Sequence, residues 1–309
     1  MIEMHGLTKR FKNVLAVDNL TLSIEEGDVF GFIGPNGAGK TTTIRMLATL
    51  LSPTSGSAVI AGYDILRHPT DVRRLVGYMP DFFGVYDDIK VWEYLDFFAA
   101  CYNIPRSERK TVIDGVLELT DLAVKRDSYV EELSRGMKQR LCLAKTLLHD
   151  PKVLLLDEPA SGLDPRARIE LRELIKELQA MGKTIFISSH ILHELADMCN
   201  KIGIIEQGRL IIAGDVEEIS RMILGGLEIE VQLKGDADKA VGILTGLQNV
   251  HNPQARDDNT VIFEFGGTRE ELGEVLQTLV RNGVPVITFT EQRTNLEDVF
   301  MKVTKGIVS

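Results

Sequence analysis

Gly34-Pro35-Asn36-Gly37-Ala38-Gly39-Lys40-Thr41-Thr42 follows directly on the apolar run Val29-Phe30-Gly31-Phe32-Ile33. The spacing is G-x-x-x-x-G-K-T where a strand gives way to a helix, the pattern that cradles phosphate groups. Binding a triphosphate needs backbone N–H groups aimed at anionic oxygens, and glycines permit the close approach and positive φ this takes. Gly34, Gly37 and Gly39 supply that freedom around Asn36 and Ala38, and a helix opening near Lys40 adds its N-terminal dipole. Lys40 is expected to reach the β- and γ-phosphates and Thr41 to offer its hydroxyl to Mg²⁺, with Thr42 completing the phosphate set. An ordinary glycine-rich turn is the plain alternative, but it does not account for the preceding strand and the G-K-T ending together.

A second group lies further along. Asp157 closes the run Val153-Leu154-Leu155-Leu156 and precedes Glu158 and Pro159. Four apolar residues before it put its carboxylate at the C-terminal end of a buried strand, where ligands bind in open α/β sheets. Its expected role is to hold Mg²⁺, partly through water. Read alone, D-E-P merely ends a strand; behind a phosphate loop it reads as chemistry. Ser134 is placed to begin a helix and, in isolation, is an N-cap. His190 follows the run Thr184 to Ile187, and His190-Ile191-Leu192-His193-Glu194 matches neither H-E-x-x-H nor H-x-x-E-H, so zinc is not indicated and His193 reads as a helix-surface residue.

The elements that must position these groups follow from periodicity. Strands are expected over Ile2 to Leu7 and Leu15 to Ile24, with a turn about Asp18-Asn19, then over Val29 to Ile33 after the polar turn Glu25 to Asp28. The short, nearly all-apolar runs at 153–156 and 184–187 predict strands buried on both faces, the mark of a parallel sheet covered by helices. Helices are expected over Thr41 to Leu51, Val91 to Tyr102, Ser107 to Thr120, Ser134 to His149 and Ala167 to Met181, and a hairpin over 202–213 about Gln207-Gly208. In the fourth helix Met137, Leu141, Ala144 and Leu148 share one face. Gly225-Gly226 suggests a boundary. Beyond it the order β (228–233), α (237–247), β (250–254), β (260–265), α (268–282), β (285–289), then a last helix over Leu296 to Val303, predicts a small ferredoxin-like domain.

Five motifs in one order carry a resemblance: the phosphate loop, Leu133-Ser134-Arg135-Gly136-Met137-Lys138-Gln139-Arg140, the run from Val153 to Pro159, Ser161-Gly162-Leu163-Asp164, and Ser188-Ser189-His190. Over residues 1–224 the chain resembles the ATP-binding subunit of an ABC (ATP-binding cassette) transporter. The resemblance implies an α/β P-loop cassette with a mixed, mostly parallel core sheet, an N-terminal antiparallel β part and a helical insert over about residues 82–150 that touches the membrane partner. Residues 225–309 are expected to form the small α+β C-terminal domain, and its ending, Thr294 to Phe300, looks like the tail of drug, antibiotic or polysaccharide exporter ATPases.

The same resemblance implies roles. Glu158 polarises the attacking water, His190 contacts the γ-phosphate, and Phe11 stacks on adenine, although a local core position suits Phe11 almost equally well. Ser134 and Gly136 cap the γ-phosphate held by a second cassette, which makes a dimer necessary. Two motifs depart from the family pattern, at three positions. Arg135 and Met137 stand where Leu-Ser-Gly-Gly-Gln has glycine and glutamine; Met137 looks like an exporter variant, and Arg135 is expected to be solvated. Asp81 stands where a glutamine usually touches the metal and the membrane partner; a carboxylate can still meet Mg²⁺ but adds negative charge near the γ-phosphate.

Composition bounds the rest. At 309 residues the chain has room for two domains, and 44% apolar content suits a sizeable core, with a mean hydropathy of +0.02. No run approaches a bilayer span and the N-terminus has no export-signal pattern, so transport requires a separate integral membrane permease and a site on the cytoplasmic face of the membrane. A net charge of −10 speaks against a nucleic-acid partner. Cys101, Cys142 and Cys199 are isolated and read as thiols of a reducing cytosol. The expected function is an Mg-dependent ATPase that closes on ATP as a dimer, a homodimer being the simpler guess, and powers export through the permease. The alternative is a soluble ABC ATPase acting on a cytosolic assembly; translation-type members usually carry two cassettes, and repair-type members have long coiled coils where this chain has a short insert. A C-terminal effector module governing the cassette is compatible with either.

Overall fold

The computed structural model describes residues 1–291 apart from 83, 85–87, 192–194, 196, 197, 217 and 220–226. Gly225, Gly226, His193, the last expected helix and the 294–300 tail lie outside the described residues. The chain separates into two compact units, Met1–Val216 and Glu217–Ser309.

The first unit opens with an antiparallel sheet of β1 (Ile2–Phe11), β2 (Val14–Ile24), β4 (Ser55–Ile60) and β5 (Tyr63–Asp64), in the order β2-β1-β4-β5. The turn expected at Asp18-Asn19 is not a turn. β2 runs through it with Asn19 at φ 52, and the register against β1 shifts between Leu7 and Lys9. Asparagine tolerates the left-handed region, so the strand absorbs an irregularity while Leu20, Leu22 and Ile24 stay buried. The chain reverses instead after Phe11, with Lys12 at φ 45 and Phe11 opposite Val14.

The central sheet holds β3 (Val29–Ile33), β6 (Val76–Met79), β7 (Val153–Asp157), β8 (Thr184–Ser189), β9 (Lys201–Glu206) and β10 (Arg209–Asp215), in the order β10-β9-β3-β8-β7-β6. All pairings are parallel except β9 with β10. Every residue of β3, β7 and β8 is buried, as expected of strands covered on both faces. Phe186 stacks on Phe30, with centroids 5.7 Å apart, and tilts against Phe32 at 5.2 Å; its burial alone contributes about 2–3 kcal/mol.

Between these strands lie α1 (Lys40–Leu47), α2 (Pro69–Leu75), α3 (Val91–Cys101), α4 (Arg106–Leu119), α5 (Arg135–Leu147) and α6 (Pro165–Ala180). Helices α3, α4 and α5 pack on one another as the insert between β6 and β7. Leu141, Ala144 and Leu148 are buried along one face of α5, with Met137 half-buried at its head. α6 begins before the expected Ala167 because Asp164 caps it, accepting from Ala167 N at 3.0 Å, and Pro165 is preset for the first helical position.

One buried carboxylate fixes where β3, and hence the phosphate loop, begins. Asp28 accepts from Glu25 N (2.9 Å), Asn200 Nδ2 (2.9 Å) and Lys201 Nζ (3.0 Å), and Asn200 Oδ1 accepts from Val29 N at 2.8 Å. Burial alone would raise the Asp28 pKa; the hydrogen bonds from Asn200, Lys201 and Glu25 outweigh it and hold the group below its usual value. A folded pKa below the unfolded one stabilises the protein above the unfolded value, and the contribution is lost as pH falls through the folded one. Asp28→Ala is therefore expected to lower stability in urea unfolding by about 2–3 kcal/mol at neutral pH, with the gap to wild type closing on acidification below pH 4, near the ordinary 3.8 of the group. A pH-independent gap would mean that the loss is packing and not charge.

The second unit contains β11 (Leu227–Leu233), α7 (Ala237–Leu244), β12 (Val250–Asp257), β13 (Thr260–Phe265), α8 (Arg269–Arg281) and β14 (Val286–Glu291). Its sheet, β12-β13-β11-β14, is antiparallel throughout, so the βαββαβ order closes as the expected ferredoxin-like layer. Ile229, Val231, Phe263 and Phe265 from the sheet meet Ala240, Leu244 and Leu279 from the helices in one core. Thr268 starts α8 with a reciprocal cap, Thr268 N to Glu271 Oε2 at 2.8 Å and Glu271 N to Thr268 Oγ1 at 3.3 Å.

Candidate active site

Strand register decides which residues meet. Ile33 lies beside Ser189, Asp157 beside Ser188, and Met79 beside Leu156. The chain segments leaving β3, β6, β7 and β8 therefore emerge at one edge of the sheet, the C-terminal edge where open α/β sheets bind ligands. Those segments carry Gly34 to Lys40, Asp81, Glu158 and His190.

The loop from Gly34 to Gly39 is held close to its surroundings. A methyl group at Gly34 would run into the Ile205 carbonyl oxygen, and one at Gly39, φ 111, into that of Ala16. Gly34 N donates to Ser189 O (3.3 Å) and Ala38 N to Pro35 O (3.1 Å), while the Ala38 carbonyl accepts from Gly208 N (2.9 Å). Asn36 and Gly37 are exposed at the loop's crest, Ala38 is buried beneath it, and Thr42 is half-buried in the first turn of α1. Lys40, 5% exposed, folds back over the loop: Nζ donates to Gly34 O at 2.7 Å and Pro35 O at 3.2 Å and lies 3.4 Å from Glu158 Oε1.

Asp157 is fully buried beside it. Its Oδ1 accepts from Ser188 Oγ at 2.6 Å and Thr41 Oγ1 at 3.2 Å, while its Oδ2 is buried with no hydrogen-bond partner among the described residues. Burial pushes the Asp157 pKa above the usual carboxylate value; the bonds from Ser188 and Thr41 oppose the rise, and the charges of Asp81 and Glu158 add to it. Asp81 itself is exposed and accepts from Phe82 N at 2.8 Å. Glu158 stands at φ 49, a region that non-glycine residues occupy at a cost. Its Oε2 lies 2.7 Å from His190 Nδ1, so its carboxylate is shared between Lys40 and His190.

Ser188 is the residue that sequence reading left without a role. Its hydroxyl donates to Asp157 Oδ1 and accepts from Glu158 N at 3.0 Å, so one side chain orients both acidic neighbours. The only signal in the chain is its place two residues before His190. Phe11 stands apart at the tip of the β1–β2 hairpin, 44% exposed, with Lys9 Nζ 5.1 Å above its ring, so the local-core alternative does not hold. Ser134 caps α5, accepting from Met137 N at 3.3 Å, and neither it nor Gly136 contacts Lys40, Asp157, Glu158 or His190 among the described residues. Arg135 is not simply solvated. It is exposed at the head of α5, but its guanidinium donates to Ser161 O at 3.2 Å and covers Gly162.

A buried lysine over a glycine loop, a paired Asp-Glu at the next strand but one and a histidine just past the strand between them is an arrangement that can bind and hydrolyse a nucleoside triphosphate. Comparison with known proteins decides the family. The ABC transporter family model matches residues 17–161, and the model for the C-terminal domain of DrrA1-3-like ATP-binding proteins matches residues 214–304. The bacitracin transport ATP-binding protein BcrA of Bacillus licheniformis is 35% identical over 99% of this chain and 98% of its own length. The chain belongs to the ATP-binding subunits of ABC transporters. The Nod factor export ATP-binding protein I of Ralstonia nicotianae is 34% identical over 98% of this chain and 94% of its own. Among solved structures, an ATP-binding subunit of an ABC transporter is 30% identical with a TM-score of 0.65, covering 73% of this chain and 93% of that one. The cassette binds ATP and is an ATPase, and its two matched regions follow the order of the two compact units.

Proposed function

We propose that the protein powers export: it binds Mg-ATP, closes on it as a dimer of cassettes at the cytoplasmic face of a membrane, and drives substrate through a separate integral membrane permease. The observation that carries the reading is the convergence of Lys40, Asp157, Glu158 and His190 at the C-terminal edge of β3, β7 and β8. Export is supported by relatives named for bacitracin transport and Nod factor export, similar to this chain along nearly their whole length. No described helix is long and apolar enough to cross a membrane, and the reading assigns the passage to the permease. The segment from residue 225 onward is read as an accessory domain; no chemical constellation is recognised in it.

In this reading the backbone N–H groups of 34–39 and the Lys40 ammonium take the phosphate oxygens, and Glu158 accepts the proton of the attacking water. His190 holds the Glu158 carboxylate from one side and faces the terminal phosphate. Mg²⁺ suits the oxygen donors beside the loop, since Asp157 Oδ2 is buried with no partner among the described residues and the Thr41 hydroxyl and Asp81 lie alongside. Bound there by Thr41, Asp157 and Asp81, partly through water, the ion would neutralise phosphate charge. Phe11, exposed at the hairpin tip, is available to an adenine ring. Ser134 and Gly136, away from their own chain's phosphate loop, are free to cap the nucleotide of a second copy, and a homodimer uses both complete halves.

The transport half of the reading is tested by purifying the chain from detergent-solubilised membranes and identifying what comes with it by mass spectrometry. A polytopic membrane protein in stoichiometric amount is expected. Recovery only with cytosolic proteins would sink export and favour a soluble ATPase.

A further inference from the structure

Arg135 and Gln139 stand four residues apart on α5, hence on one face of that helix. Both end on the main chain that follows Glu158. Gln139, buried, donates through Nε2 to Pro159 O, and Arg135 donates through a terminal nitrogen to Ser161 O at 3.2 Å. Gly162 sits at φ 68 directly beneath the guanidinium, and a methyl group there would run into its carbon and both terminal nitrogens. The held segment is itself compact. Ser161 N donates to Glu158 O (3.1 Å), Leu163 N to Ala160 O (3.2 Å), and Asp164 caps α6. Carbonyls in such a segment need donors, and α5 supplies two of them to the peptides just after Glu158.

We propose that Arg135, acting with Gln139, is a positioning residue for hydrolysis: it clamps the 159–162 segment to the head of α5 and so holds Glu158 in its positive-φ conformation. The residue before it, Ser134, is the one read above as reaching the nucleotide of a second cassette. The clamp thus ties that contact to the base on the same chain through a single side chain. A glycine at position 135 has no group with which to do this. The inference rests on the hydrolysis reading above. It predicts an effect on turnover and not on nucleotide binding, because the contacts of Arg135 run to Ser161 and Gly162 and not to the loop groups around Lys40 among the described residues.

The test is steady-state ATPase kinetics of the full chain with R135A and R135K, alongside wild type and E158Q, plus gel filtration of E158Q and R135A/E158Q with and without Mg-ATP. R135A is expected to lower kcat by about tenfold with KM for ATP little changed, the size of one charge-assisted hydrogen bond felt wholly in the transition state. R135K is expected to recover part of the loss, since an ammonium can reach a carbonyl but lacks the planar fork that covers Gly162. ATP-dependent dimerisation is expected to persist in R135A/E158Q. Wild-type kcat in R135A overturns the proposal. So does loss of the ATP-dependent dimer in the double variant, which would make Arg135 a phosphate contact across the dimer. A wild-type chain that turns over ATP no faster than E158Q overturns the hydrolysis reading, and the proposal with it.

Discussion

Replacing Glu158 by glutamine lowers kcat for ATP hydrolysis by about 10²- to 10⁴-fold, the contribution expected of a positioned general base, and leaves ATP binding intact. Glutamine keeps the shape of the side chain and removes its capacity to take a proton. The geometry isolates that capacity. Glu158 stands in an unusual backbone conformation, its N–H donating to the Ser188 hydroxyl at 3.0 Å, and its carboxylate is shared between Lys40 at 3.4 Å and His190 at 2.7 Å. None of the backbone groups of the phosphate loop depends on the Glu158 charge, and removing a negative charge beside a triphosphate favours retention of ATP. Phosphate release and equilibrium ATP binding, measured on the same preparation, separate the two effects. Undiminished turnover in E158Q would remove Glu158 from the chemistry.

The second large effect falls on binding. Lys40→Ala is expected to weaken ATP binding by about 10- to 100-fold, the worth of charge-assisted hydrogen bonds of about 1.5–3 kcal/mol. The ammonium is buried, its donors already turned to the Gly34 and Pro35 carbonyls that outline the loop, and its charge balances Glu158. Alanine removes the cation that meets the terminal phosphates and leaves the Glu158 charge facing them uncompensated. Isothermal titration with Mg-ATP reads the change directly. Unaltered affinity in K40A would mean that the nucleotide binds elsewhere. Together the two variants distinguish a chain that binds and cannot cleave from one that cannot bind.

Much of the site was legible because its motifs are local. The phosphate loop needs glycines at set intervals between a strand and a helix, and the chain prints them in sequence from Gly34 to Lys40. Asp157 announces itself as the first charge after four buried aliphatic residues. The ferredoxin-like order of the second unit could likewise be read from alternating helical and strand periods. Other features were hidden for physical reasons. β6 is four residues long and β4 begins Ser55-Gly56-Ser57, so neither shows the sustained apolar run that marks β7 and β8. Asn19 reads as a turn residue in isolation, yet the burial of Leu20, Leu22 and Ile24 against β1 overrides its preference.

What the sequence by itself determined is the chemistry available: a phosphate cradle, two adjacent carboxylates, a histidine and the family to which they belong. Only the tertiary structure decided how these groups meet. Parallel register set Asp157 against Ser188 and Ile33 against Ser189, and from that one serine came to hold both the Asp157 carboxylate and the Glu158 N–H, and one buried lysine came to face Glu158. Likewise Arg135 read as a solvated departure from a motif until packing set it over Gly162. The reason is distance along the chain: periodicity and turn chemistry act over a few residues, whereas Lys40, Arg135, Glu158 and His190 are joined by sheet pairing and helix packing, which a linear motif does not record.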